Sequence, residues 1–260
     1  MEVVIAPVPE LARIAADTVE SVLRKESAPV LGLATGSTPL PLYDELVRRH
    51  VEEGLTFAHA TAFLLDEYVG LPEGHPESYR AVIDRELAHR VDLRPEAVHA
   101  LDGRAADPLD ECADFERRMA AAGGVDVQIL GVGSDGHIAF NEPTSSLTSR
   151  TRVMALVEQT RRDNARFFGG DVDAVPRLVM TQGIGTILEA RRLVLIATGE
   201  AKAEAVRQVV EGAVSARWPA TAVQMHPHVL VLVDEAAASR LELADEYKQA
   251  WAMRPEWLPI

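Results

Sequence analysis

Short apolar runs alternate with longer amphipathic stretches from one end of the chain to the other. The runs at 3–6, 30–34, 61–65, 98–101, 125–130, 152–157, 178–181, 193–198 and 229–233 have strand length. Several show no polar alternation, which suits strands covered on both faces. The stretches between them keep a helical period: Leu11, Ile14, Ala15, Thr18 and Val22 recur at three- and four-residue intervals. Asp107-Pro108 reads as an N-cap followed by proline at the first helical position. Pro39 opens a helix that holds Leu42, Leu46 and Val47. Repeated strand–helix–strand units predict a mostly parallel central sheet flanked by helices on both faces, a single-domain α/β protein. No repeat, low-complexity tract or flexible linker divides the chain, so one domain is expected over 1–260.

Composition narrows the partners. Of the 260 residues, 47% are hydrophobic and 25% charged, the balance of an ordinary globular domain. Lys and Arg number 26 against 40 Asp and Glu, a net charge of −14. So acidic a surface repels a polyanion, and no basic run offsets it; nucleic acid is excluded as the expected partner. Cys112 is the sole cysteine, which rules out an intrachain disulfide and a paired-cysteine metal site. It falls in the helical pattern Leu109, Cys112, Phe115, Met119 and is expected to be buried and inert. No apolar run approaches the roughly 18 residues of a membrane span. The opening Met1-Glu2-Val3-Val4-Ile5 carries no cationic leader, so the expected location is cytoplasmic, with no membrane partner.

Ligands of open α/β sheets gather at the carboxyl ends of the strands, and four such ends here carry chemistry. The first is Leu31-Gly32-Leu33-Ala34-Thr35-Gly36-Ser37-Thr38-Pro39. Its free backbone N–H groups, hydroxyls and following helix dipole make a phosphate cradle, or equally an N-capped turn. No lysine follows at Walker spacing. The second is the acid pair Asp66-Glu67. Asp66 reads as a base facing the cleft, Glu67 as a solvated or helix-capping acid.

The third is Gly131-Val132-Gly133-Ser134-Asp135-Gly136-His137-Ile138-Ala139-Phe140-Asn141-Glu142-Pro143. It contains a GxGxxG string, but Asn141 and Pro143 break the helix that a dinucleotide fingerprint requires. Asp135, His137 and Glu142 crowd eight residues of it, either as an oriented general acid/base or as metal ligands. The fourth is cationic: Lys202 at a strand–helix joint and Arg166 in a helical stretch. Arg161 and Arg162 read as solvated or paired, and His226-Pro227-His228 as a turn.

These elements resemble the isomerising glucosamine-6-phosphate deaminases over nearly the whole chain. The likeness rests on LGLATGSTPLPLY at 31–43, LDEYVGLPEGHPESY at 65–79, LGVGSDGHIAFNEPTSSLTSRTR at 130–152, TRRDNARFF at 160–168 and TGEAK at 198–202. The related 6-phosphogluconolactonases share a GxGxDGH loop but follow it with Ser-Leu-Phe-Pro, where this chain has Ala139-Phe140-Asn141-Glu142-Pro143.

The resemblance implies a modified Rossmann-like fold and conversion of glucosamine 6-phosphate to fructose 6-phosphate and ammonia, within amino-sugar catabolism. It implies catalysis by Asp66, Asp135, His137 and Glu142, and a phosphate held by Thr35, Gly36, Ser37, Thr38, Arg166 and Lys202. It implies no organic cofactor and no metal. Relatives include hexamers and monomers, so a homo-oligomer is one expectation. Ser145, Ser146 and Arg152 match part of an activator site for N-acetylglucosamine 6-phosphate, but Met154 stands where those relatives carry a lysine. A sugar-phosphate lactonase and a non-catalytic sugar-phosphate sensor are the alternatives.

Overall fold

The structure is a computed structural model and describes residues 1–255; the last five positions of the domain expected over 1–260 lie outside the described residues. Among the described residues ten strands run in chain order as β1 (Glu2–Ile5), β2 (Val30–Leu33), β3 (Thr61–Leu64), β4 (Asp66–Tyr68), β5 (Val98–His99), β6 (Val127–Leu130), β7 (Arg152–Ala155), β8 (Leu178–Thr181), β9 (Leu193–Ala197) and β10 (Val229–Val233). Seven of them pair, all in parallel, in the order β1-β10-β9-β6-β2-β3-β5. The fully buried runs Leu193–Ala197 and Val229–Val233 are central in that sheet, as the absence of polar alternation predicts.

The helices are α1 (Val8–Lys25), α2 (Leu40–Glu53), α3 (Tyr79–Glu86), α4 (Pro108–Ala121), α5 (Glu158–Asn164), α6 (Ile184–Ile187), α7 (Ala203–Glu211) and α8 (Ala244–Ala252). They cover the sheet, giving the single-domain α/β layering expected. In α1 the five residues picked out by their spacing are all buried. Asp107 caps α4 by accepting from the N–H groups of Leu109 and Asp110. The guanidinium of Arg49 in α2, 5% exposed, is matched by Asp17 and Glu20 of α1 and by Glu45, which pins the two helices together. Cys112 is buried, and burial pushes its thiol up to about 11, well into the inert range. No helix among the described residues is long and apolar enough to cross a membrane.

One part of the architecture departs from expectation. β4, β8 and β7 form a separate antiparallel sheet, with Asp66 opposite Thr181 and Arg152 also opposite Thr181. The runs at 152–157 and 178–181 are strands, but not of the central sheet, and Asp66–Tyr68 is a strand that the apolar pattern hides. An acid pair does not look like a strand, and a four-residue run carries no mark of the direction of its partner. Leu65 alone separates β3 from β4. The chain therefore steps from one sheet to the other within a residue, and Asp66 is the first residue past the step. A second small core, with Tyr68, Phe140, Leu156, Ala165 and Val179 among its members, fills the space beside the antiparallel sheet.

The order of the parallel strands decides where the site lies. From β2 the chain proceeds outward through β3 to β5; with β6 it returns to the other flank of β2 and proceeds through β9 to β10. The loops that follow β2 and β6 thus leave the sheet in opposite senses and open a crevice between them, the usual ligand position of such sheets.

Candidate active site

A cavity of about 470 Å³ occupies that crevice. Thr35, Gly36, Ser37 and Thr38 line it from the loop after β2, and Asp66 from the step into β4. His137 lines it from the loop after β6, Arg166 from just beyond α5, and Lys202 from just beyond β9. Eight residues expected from sequence therefore face one space. Asp135 and Glu142 stand behind His137: the three residues' ligand-capable atoms lie within 4.8 Å of one another. They are also the residues that could hold a metal ion.

The loop after β6 is shaped to present His137. Gly133 N–H donates to the His137 carbonyl at 2.9 Å and Gly136 N–H to the Gly133 carbonyl at 3.0 Å, folding the segment back on itself. A Cβ on Gly133 would sit 2.3 Å from the imidazole, so only glycine leaves room for the ring. Gly136 has φ +86°, the left-handed region, and a Cβ there would also strike Trp218. No helix follows β6; Asn141 instead ties the loop down, donating to the carbonyls of Ile138 and Gln182. The glycine string therefore builds a loop that makes room for the His137 ring and not a dinucleotide turn.

His137 Nδ1 lies 2.7 Å from Asp135 Oδ1. Burial alone would raise the Asp135 carboxyl, but the imidazole wins and holds it at about 2. Glu142 goes the other way: burial pushes it up, the Asp135 carboxylate adds to the push, and a hydrogen bond from Thr160 and the charge of His137 pull against it. Two carboxyls beside one imidazole are thus driven apart, Asp135 below the usual carboxylate range and Glu142 above it.

Asp66 is 6% exposed, and its carboxyl stands well above the usual carboxylate range because it is buried and because Glu67 is adjacent. Such a group is a stronger base than an exposed aspartate. Glu67 points the other way and accepts from the N–H groups of Tyr68, Tyr79 and Arg80, two of them at the start of α3. Glu67 is the helix-capping acid that the sequence suggested.

At the far side, Lys202 is partly buried, and burial lowers its affinity for a proton while Asp135 restores some of it. Arg166 stacks over the Phe167 ring at 4.7 Å. Neither forms an ion pair with a carboxylate among the described residues. Two cations without a carboxylate partner among the described residues, beside a hydroxyl- and glycine-rich loop in a chain of net charge −14, can hold an anion. Arg161 and Arg162 are paired, as expected: Arg161, 7% exposed, meets Glu158 and Asp173 and also donates to the carbonyls of Val172 and Val175, while Arg162 pairs with Glu158.

Four cavity residues escape a reading by motif. Tyr79 O–H donates to the Tyr68 oxygen at 3.3 Å, Asn164 Nδ2 donates to the same oxygen at 2.9 Å, and Thr160 donates to Glu142. Burial pushes the Tyr68 phenol up to about 12, so it remains a neutral donor. Their signal was weak: Tyr68 directly follows the acid pair, and Thr160 and Asn164 share one helix face at a four-residue spacing. Ser145, Ser146 and Arg152 lie outside the cavity lining. Arg152 donates to Asn141 Oδ1 at 2.9 Å and to Ser145 Oγ at 3.3 Å, and Met154 packs against the second core.

Fold and site together define an α/β protein whose one cavity brings a buried carboxyl, an imidazole backed by two acids, and two cations beside a hydroxyl- and glycine-rich loop to the same space. A family model described as glucosamine-6-phosphate isomerases/6-phosphogluconolactonase matches residues 6–232, and the chain belongs to that family. It is 61% identical over 258 residues to a glucosamine-6-phosphate deaminase of Beutenbergia cavernae, covering 99% of each chain. It is 58% identical over 261 residues to one of Mycolicibacterium smegmatis, covering all of both. Among solved structures it resembles a monomeric glucosamine-6-phosphate deaminase with a TM-score of 0.90 and 41% identity, over 92% of this chain and 100% of that one. A 6-phosphogluconolactonase from Trypanosoma cruzi shares the fold, with a TM-score of 0.72 at 18% identity over 93% of this chain and 97% of that one.

Proposed function

We propose that the chain, as one sugar-phosphate isomerase/deaminase domain over 1–260, converts glucosamine 6-phosphate to fructose 6-phosphate and ammonia. The observation that carries this reading is a single cavity with a buried, strongly basic Asp66 at one side and the unmatched cations Lys202 and Arg166 at another. Full-length relatives at 58–61% identity that bear the deaminase name support it.

The chemistry follows from the groups present. Thr35, Gly36, Ser37 and Thr38 with Lys202 and Arg166 hold the phosphate, which fixes the sugar along the cavity. His137, steadied by Asp135 and Glu142, passes a proton from the C1 hydroxyl to the ring oxygen and opens the pyranose. Asp66 takes the C2 proton, and the electrons of that bond form the C1–C2 double bond of the enolamine as the C1 carbonyl oxygen takes a proton from His137. Asp66 then returns a proton to C1 as the nitrogen lone pair forms the C2 iminium. Water adds to the iminium, one of its protons passes to the nitrogen, which leaves as ammonia, and the other returns to His137, leaving the ketose. Each step needs a placed acid or base, and the cavity supplies one for each, without a cofactor. A lone buried cysteine suits the reducing cytoplasm, where we place the reaction.

A coupled assay tests this directly. Purified enzyme treated with EDTA is expected to form fructose 6-phosphate and ammonia from glucosamine 6-phosphate and to leave 6-phosphogluconolactone at its spontaneous hydrolysis rate. Turnover of the lactone alone would establish the lactonase reading, binding without turnover the sensor reading, and rescue by zinc a metal role for the Asp135–His137–Glu142 trio.

Regulation is expected to be slight. Arg152 spends its donors on Asn141 and Ser145, and Met154 offers no charge for an anionic activator. Losing one charge-assisted phosphate contact costs about 1.5–3 kcal/mol, or about ten- to a hundredfold in affinity, and shrinks any coupling in proportion. Saturation by glucosamine 6-phosphate is therefore expected to be hyperbolic, and unchanged by millimolar N-acetylglucosamine 6-phosphate. A sigmoidal curve straightened by that ligand would show that other residues complete the site.

A further inference from the structure

Glu142 belongs to the trio proposed for acid/base work, yet a hydroxyl that donates to it comes from a different element. Thr160, in α5, donates its hydroxyl to Glu142 Oε1 at 2.6 Å, across 18 residues of sequence. Thr160 is 4% exposed and Glu142 5%, so water does not share that bond. The other oxygen, Oε2, is buried without a hydrogen-bond partner beside the trio. Thr160 thus fixes one oxygen and leaves the second free to act. Its β-branch restricts the side chain to few rotamers, which suits a fixed donor. The same helix face carries Asn164, bound to the Tyr68 hydroxyl, and the chain continues from it to Arg166.

We infer that Thr160 is a positioning residue for the reaction proposed above: its hydroxyl holds Glu142 against His137. The inference rests on the deaminase reading, and it assigns a duty to a threonine that touches the reacting atoms only through Glu142. A donor to a carboxylate favours its ionised form, so removing it raises the Glu142 pKa. The charged groups facing Glu142 are His137, which favours its ionised form, and Asp135, which opposes it; neither changes with the substitution.

The test is the pH dependence of kcat for wild type, Thr160→Val, Thr160→Ala and Thr160→Ser, with fructose 6-phosphate as the readout. Both Val and Ala variants are expected to lose about tenfold in kcat near neutrality with KM almost unchanged, and to show an acid limb moved up by about one pH unit. The Ser variant keeps a hydroxyl and is expected to follow the wild-type profile. Thr160→Ala keeps the test open where a valine methyl against a carboxylate impairs folding. A wild-type acid limb in the Val or Ala variant, or a Ser variant as impaired as Ala, would overturn the role given to Thr160. A wild-type enzyme that forms no fructose 6-phosphate would instead overturn the reaction on which it rests.

Discussion

Asp66→Asn is expected to lower kcat about a thousandfold, in the middle of the range for removal of a general base, while KM changes little. An amide has nearly the volume of the carboxyl and cannot accept the C2 proton. The phosphate contacts lie on other loops, so ground-state binding survives. A thousandfold is about 4 kcal/mol of barrier. The same substitution is expected to raise the melting temperature at neutral pH. Asp66 binds its proton more tightly in the folded chain than unfolded, because it is buried and Glu67 is adjacent. Its stabilising contribution is complete below the unfolded pKa and is lost as pH rises through the folded one. Neutrality lies above the unfolded pKa, so the carboxyl there weighs against the fold, and the amide relieves it. A steady-state profile beside a thermal melt checks both halves. Near-normal turnover in the variant would remove Asp66 from the role of base.

Lys202→Ala is expected to raise KM about ten- to a hundredfold with a smaller change in kcat. The ammonium meets a phosphate that is present in the ground state and the transition state alike, so its loss weakens uniform binding. The contact is charge-assisted, and Lys202 forms no ion pair with a carboxylate among the described residues, so no internal partner competes for it. Saturation kinetics with the 6-phosphate substrate and with unphosphorylated glucosamine separate this from general damage. The substitution is expected to penalise the phosphorylated sugar and to leave the weak binding of the free sugar unchanged. Equal losses for both sugars would show that Lys202 supports the cavity without meeting the phosphate.

The parallel sheet was legible because its strands are buried on both faces and read as unbroken apolar runs, as Leu193–Ala197 and Val229–Val233 do. The strand-end loops were legible because their residue types have few structural uses in such density: a histidine between two acids, a hydroxyl–glycine cradle. The antiparallel sheet was not. Its short strands carry polar residues such as Asp66 and Glu67, and pairing direction depends on where the chain turns and not on which residues it uses. Thr160 and Tyr68 were hidden for another reason. Each acts through a hydrogen bond to a residue distant in sequence, Glu142 and Asn164 respectively, and one chain shows no such pairing before it folds. The opposite tuning of Asp135 and Glu142 likewise comes from burial and neighbours, and their spacing does not show it.

Isotope tracing of the C2 hydrogen tests the central claim most directly, that one shielded carboxyl carries it to C1. Glucosamine 6-phosphate labelled with deuterium at C2 is turned over in ordinary water, and the fructose 6-phosphate is read by NMR and mass spectrometry. With Asp66 6% exposed, the label is expected to divide between C1 of the product and the solvent, because the carboxyl returns some of what it takes and exchanges the rest. Complete loss of the label to water, with none at C1 of the product, would contradict a single shielded carboxyl that carries the hydrogen from C2 to C1.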